Sequence, residues 1–119
     1  MSSAIRSGLL LLLLAPGIAS AHAYLVRSAP AQRAVLYKAP AKIQLWFNER
    51  LEARFSTFSL SDADGRPFET GKAEVPKEDS KQLSATVKPL PPGRYVVKYR
   101  VLSVDGHLVE DEFPFTIRR

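Results

Sequence analysis

The 119-residue chain has no cysteine, one methionine, one tryptophan and two histidines. Without cysteine it has no disulfide scaffold, no thiolate metal site, no thiol nucleophile and no lipid-bearing cysteine anchor. Beyond its first twenty residues no apolar run approaches the roughly 18 residues that cross a bilayer. Nor does any window keep a sustained 3.6-residue apolar period, so neither a membrane span nor a helical bundle is expected there. Charge of one sign does not dominate: 17 Lys+Arg face 12 Asp+Glu, a formal +5. The basic residues are interleaved with acidic ones, which reads as a solvated mixed surface and not as a nucleic-acid-binding face. What is present, 45% hydrophobic and 24% charged residues, suits one ordinary globular domain and excludes a disordered or fibrous chain.

The first 21 residues are expected to be a cleaved secretory signal peptide. Arg6 supplies a basic start, Leu9 to Leu14 are six consecutive leucines, Pro16-Gly17 interrupt the apolar run, and Ala19-Ser20-Ala21 is a small-x-small cleavage sequence. Removal of this segment leaves residues 22–119 as an exported, soluble domain without a membrane span, takes away Arg6 and lowers the formal charge from +5 to +4. Cleavage after Ala21 makes His22 the new N-terminus. A competing cut after Ala23 would delete it.

Period-2 alternation is the strongest signal in the remainder. Ala41, Ile43, Leu45 and Phe47 alternate with Lys42, Gln44, Trp46 and Asn48. Phe58 and Leu60 stand between Thr57, Ser59 and Ser61, and Leu83, Ala85 and Val87 between Gln82, Ser84 and Thr86. Tyr95 to Leu102 is β-branched or aromatic at most positions, with Tyr95, Val97, Tyr99 and Val101 on one face. Glu112 to Ile117 points Phe113, Phe115 and Ile117 inward and carries Pro114 on the other face, which predicts an edge or a bulge. Turn chemistry at Asp62-Ala63-Asp64-Gly65, Pro89 to Gly93 and Asp105-Gly106 separates these runs. Lys72 to Lys81 reads as an exposed loop with one short strand around Val75. About seven short strands in about 100 residues predict an all-β, immunoglobulin-like two-sheet sandwich, with a small barrel as the alternative.

Both histidines stand where a core histidine would not. His22 at a processed N-terminus offers its α-amine and its imidazole Nδ1, which together close a six-membered chelate on a metal ion. His107 follows Asp105-Gly106 between two clear strands, and on a locally extended segment Asp105 and His107 would share a face. Amine, two imidazoles and a carboxylate form a nitrogen-rich set of the kind tetragonal Cu(II) prefers. Taken singly, each has a plainer reading: a turn residue, a surface loop histidine, an accident of processing. It is their conjunction that points to a metal.

Four segments, His22 to Ala31, Ile43 to Glu49, Ser103 to His107 and Phe113-Pro114-Phe115, together resemble the successive motifs of the CopC family of periplasmic copper-resistance and copper-carrier proteins. The resemblance covers essentially all of residues 22–119. It implies a Greek-key β-sandwich in the periplasm that binds one Cu(II) per chain. His22 would give amine and imidazole, Asp105 a carboxylate and His107 the second imidazole, and Glu49 matches an acidic position at or just beyond the copper in some relatives. It further implies a buffer or carrier for copper resistance, homeostasis or import, with an inner-membrane copper transporter or another periplasmic copper protein as partner, and no enzymatic activity. Two departures stand out. The methionine-rich Cu(I) site of some members has no counterpart, because Met1 leaves with the signal peptide, so a Cu(II)-only member is expected. Leu108 and Asp111 replace the Pro and Gly more usual after the histidine. The alternative readings are a copper-dependent oxidative enzyme, because a histidine chelate of this kind resembles the centre of polysaccharide monooxygenases, and a structural immunoglobulin-like module.

Overall fold

Eight strands and one 3-10 turn account for the regular structure of the computed structural model, which describes residue 8 and residues 23–119. The rest of the expected signal peptide, and His22, lie outside the described residues. The strands are β1 (Leu25–Ala29), β2 (Val35–Leu36), β3 (Lys42–Phe47), β4 (Thr57–Asp62), β5 (Pro67–Phe68), β6 (Gln82–Thr86), β7 (Gly93–Leu102) and β8 (Leu108–Ile117). They form a three-stranded sheet in the order β1-β3-β6 and a five-stranded sheet in the order β2-β8-β7-β4-β5. Every pairing is antiparallel except that of β2 with β8. The chain crosses between sheets from β1 to β2, β2 to β3, β3 to β4, β5 to β6 and β6 to β7, the Greek-key route of a sandwich and not the closure of a barrel.

Inward-facing residues of the two sheets meet in one core. Ile43, Leu45 and Leu83 come from the smaller sheet, and Leu60, Val97, Val101 and Phe115 from the larger, all almost completely buried. Tyr95 stacks on Phe115 with ring centroids 5.4 Å apart, and Phe47 meets Tyr99 edge-on at 5.5 Å. Each of these side chains is in the phase that alternation assigns to the inner face. On the outer face of the smaller sheet Arg27 lies over its cross-strand partner Trp46, 4.0 Å from the ring.

The edge or bulge expected at Pro114 does not form, since β8 lies between β2 and β7 with unbroken register on β7, and the strand still tolerates this proline. Its carbonyl accepts the Arg33 N–H at 2.7 Å, on the side away from β7, so the position of its missing N–H falls outside the β7–β8 ladder. The short β2 pairs with β8 only further on, at Thr116 and Ile117.

Several boundaries differ from the sequence expectation. β8 begins at Leu108, four residues before Glu112, because the hairpin register from Leu102–Leu108 continues without interruption. Ala41 is exposed and precedes β3. The strand expected around Val75 is a single bridge between Glu74 and Ser84. β1, β2 and β5 carry no clean alternation and are additional to the expected set.

Candidate metal centre

The inward phase of β7 runs Tyr95, Val97, Tyr99, Val101 and reaches Ser103, a polar residue at a core position with 1% exposure. A buried hydroxyl needs partners, and the loop that follows supplies them. Ser103 Oγ donates to Asp105 Oδ1 and accepts the His107 backbone N–H at 3.2 Å. The Ser103 N–H donates to the His107 carbonyl at 3.0 Å, and the Gly106 N–H donates to the Ser103 carbonyl at 2.9 Å. Gly106 has φ +92°, a left-handed conformation that a residue with a Cβ adopts only at a cost. Asp105 and His107 are therefore brought together by the tight turn that Asp105-Gly106 predicts in the sequence.

Within this turn His107 Nδ1 faces inward and stands 3.1 Å from Asp105 Oδ2. The two side chains keep 40% and 37% of their surface exposed, although His107 Nδ1 itself is buried. The Ser103 hydrogen bond, and then the His107 side chain, hold the Asp105 carboxyl below the usual aspartate range. A ready carboxylate thus sits beside an imidazole nitrogen. Two donors on one metal, each about 2.0 Å from it and at right angles, stand about 2.8 Å apart. The observed separation is close to that spacing.

The segment after β3 lies against this turn. The Val104 N–H donates to the Arg50 carbonyl at 2.9 Å, Leu51 bridges Ser103, and the Glu52 N–H donates to the Leu102 carbonyl at 2.8 Å. Glu49 is half-buried in the same segment, but the structure does not group it with Asp105 and His107. Among the described residues no three His, Cys, Asp or Glu side chains converge as a metal site. His22 lies outside the described residues. The chain leading towards it is fixed: Ala23 is 1% exposed, and the Tyr24 N–H donates to Asn48 Oδ1 at 2.6 Å.

Sequence reasoning gave no role to Ser103 or Asn48. Ser103 did carry a signal, since it is the polar residue that continues an otherwise apolar inward face. Asn48 carried none, because its partner is a backbone group 24 residues away.

Fold and site together define an immunoglobulin-like Greek-key sandwich with a carboxylate–imidazole donor pair on one hairpin loop. The chain belongs to the CopC family, whose domain model matches residues 25–118. It is 33% identical over 111 residues to copper resistance protein C of Xanthomonas campestris pv. juglandis, covering 88% of this chain and 87% of that one. It is also 34% identical over 110 residues to the copper transport protein CutJ of Bacillus subtilis (strain 168), which covers 92% of this chain but only 20% of CutJ, so the chain spans a fifth of that relative's length. Among solved structures, CopC from Methylosinus trichosporium OB3b superposes with a TM-score of 0.76 at 32% identity, over 81% of this chain and 93% of that one. PcoC, a methionine-rich copper resistance protein from Escherichia coli, gives 0.73 at 33% identity, over 82% of this chain and all of that one.

Proposed function

We propose that the mature protein is a periplasmic Cu(II) carrier or buffer that starts at His22 and holds one copper ion through the His22 amine and imidazole, the Asp105 carboxylate and the His107 imidazole. The observation that carries this reading is the Asp105–His107 pair, 3.1 Å apart and oriented by a buried serine, in a chain whose relatives are copper resistance proteins. Two donors alone would bind an exposed divalent ion weakly. Adding a terminal amine–imidazole chelate makes a three-nitrogen, one-oxygen set that favours Cu(II) over Zn(II) by intrinsic affinity.

The expected signal peptide supports the compartment, and the burial of Ala23 with the hydrogen bond of Tyr24 beyond the end of β3 favours a cut after Ala21 over one that would remove a packed residue. With its single methionine at position 1, the chain contrasts with the methionine-rich PcoC, which supports a Cu(II)-only site. Glu49, half-buried beside the turn, is kept as a carboxylate at or just beyond the copper. Delivery to an inner-membrane copper transporter or another periplasmic copper protein fits the occurrence of the same kind of domain within the longer copper transport protein CutJ.

The test is a calorimetric titration of the exported, natively processed protein with Cu(II), its N-terminus established by intact mass. One equivalent should bind, and His107→Ala should lose most of the affinity. Binding unchanged in His107→Ala, or a chain starting at Tyr24 that still binds one equivalent equally tightly, would overturn the assignment.

A further inference from the structure

We infer that Asn48 is a positioning residue for the amino-terminal copper ligand, holding the chain two residues downstream of His22 so that its amine and imidazole meet the Asp105–His107 pair. This rests on the carrier reading above and extends it to a residue that touches no metal.

Tyr24 is gripped by its backbone. Its side chain is 60% exposed, but its N–H donates to Asn48 Oδ1 at 2.6 Å and its carbonyl accepts the Asn48 N–H at 3.2 Å. Both bonds go to one residue, immediately beyond the end of β3. The strand ladder does not do this work by itself, because β1 is irregular where it begins: Leu25 pairs with Phe47 and Arg27 with Trp46, and Val26 falls in the register shift between them. β1 is also the edge strand of a three-stranded sheet, supported from one side. Without the Asn48 side chain, the Tyr24 N–H would lose this partner on a bulged edge strand.

The placement of Asn48 links the two halves of the copper site. Just beyond it, Arg50 and Leu51 are joined to Val104 and Ser103, at the base of the loop that carries Asp105 and His107. A single short segment therefore holds the amino-terminal chain at one end and the histidine loop at the other. Two residues span at most about 7 Å, so fixing the Tyr24 nitrogen limits how far the His22 amine can lie from it. A donor confined in this way loses less freedom on binding the metal, the usual benefit of partners that orient metal ligands.

The contact to Tyr24 uses Asn48 Oδ1 only as an acceptor, which separates positioning from mere bulk. Asn48→Ala removes the acceptor and Asn48→Asp keeps one in the same place. Cu(II) affinity and the electron paramagnetic resonance spectrum would be measured for both variants and the wild type, each with its natural N-terminus and with circular dichroism recorded on the copper-free protein. Asn48→Ala should retain the β-sheet spectrum, bind Cu(II) about tenfold to a hundredfold more weakly, and show altered nitrogen hyperfine structure. Asn48→Asp should recover most of the affinity and the wild-type spectrum. If Asn48→Ala binds as tightly as the wild type with the same spectrum, or if Asn48→Asp is as weak as Asn48→Ala, the positioning role is overturned while the carrier reading stands. If the wild type itself fails to bind one equivalent, the carrier reading falls and this role with it.

Discussion

Ser103 shows how one buried hydroxyl can set the chemistry of a loop. Its oxygen is shared between the Asp105 carboxylate and the His107 backbone, and its exposure is 1%. Ser103→Ala leaves the His107 N–H and the carboxylate without that partner, and should destabilise the copper-free protein by about 1–3 kcal/mol in urea unfolding. It should also weaken Cu(II) binding about tenfold or more. Asp105 adds a pH signature. A carboxyl held below its ordinary range stabilises the folded state above its unfolded value, and that contribution is lost as pH falls through the folded one. The thermal midpoints of copper-free wild type and Asp105→Asn should therefore differ at pH 6 and converge below about pH 4. Copper released by acid at higher pH belongs to the nitrogen donors, which must shed protons to bind. Asp105 and His107 were legible in the sequence because metal-ligating residue types stood two apart in a loop. Asn48 was not, because what it does depends on a backbone group brought to it by the β1–β3 pairing.

At the scale of elements, the hairpin of β7 and β8 carries the candidate site, and its turn depends on Gly106. A Cβ built there meets no atom within 4 Å, so Gly106→Ala suffers backbone strain alone at φ +92°. The expected loss is about 1–2 kcal/mol of stability in urea unfolding, with weaker copper binding because the turn sets the Asp105–His107 spacing. A loss beyond about 4 kcal/mol would mean the turn governs the fold itself. The strands legible in the sequence, β3, β4, β6 and β7, are those whose two faces differ in environment, and alternation records that difference. β1 was illegible for the opposite reason: it is an edge strand with a register shift, so Leu25, Val26 and Arg27 follow no period. β2 and β5 are two residues each, too short for any period to show.

For the molecule as a whole, the sandwich carries the Asp105–His107 loop on its β7–β8 hairpin, and copper should couple to its stability. A ligand that binds the folded but not the unfolded state stabilises by about 2.7 kcal/mol at a hundred times its dissociation constant. Saturating Cu(II) should raise the thermal midpoint, a chelator should return it to the copper-free value, and His107→Ala should show little of the rise. Cu(I) under reducing, oxygen-free conditions should produce no comparable shift, because residues 22–119 contain neither methionine nor cysteine. The central claim, a copper site shared between the processed N-terminus and the Asp105–His107 loop, is tested most directly by electron paramagnetic resonance of the exported protein loaded with one equivalent of Cu(II). The account predicts a chain beginning at His22 and one tetragonal signal with resolved nitrogen hyperfine structure, lost when the terminal amine is blocked or His107 is replaced. A homogeneous signal indifferent to both changes would contradict it.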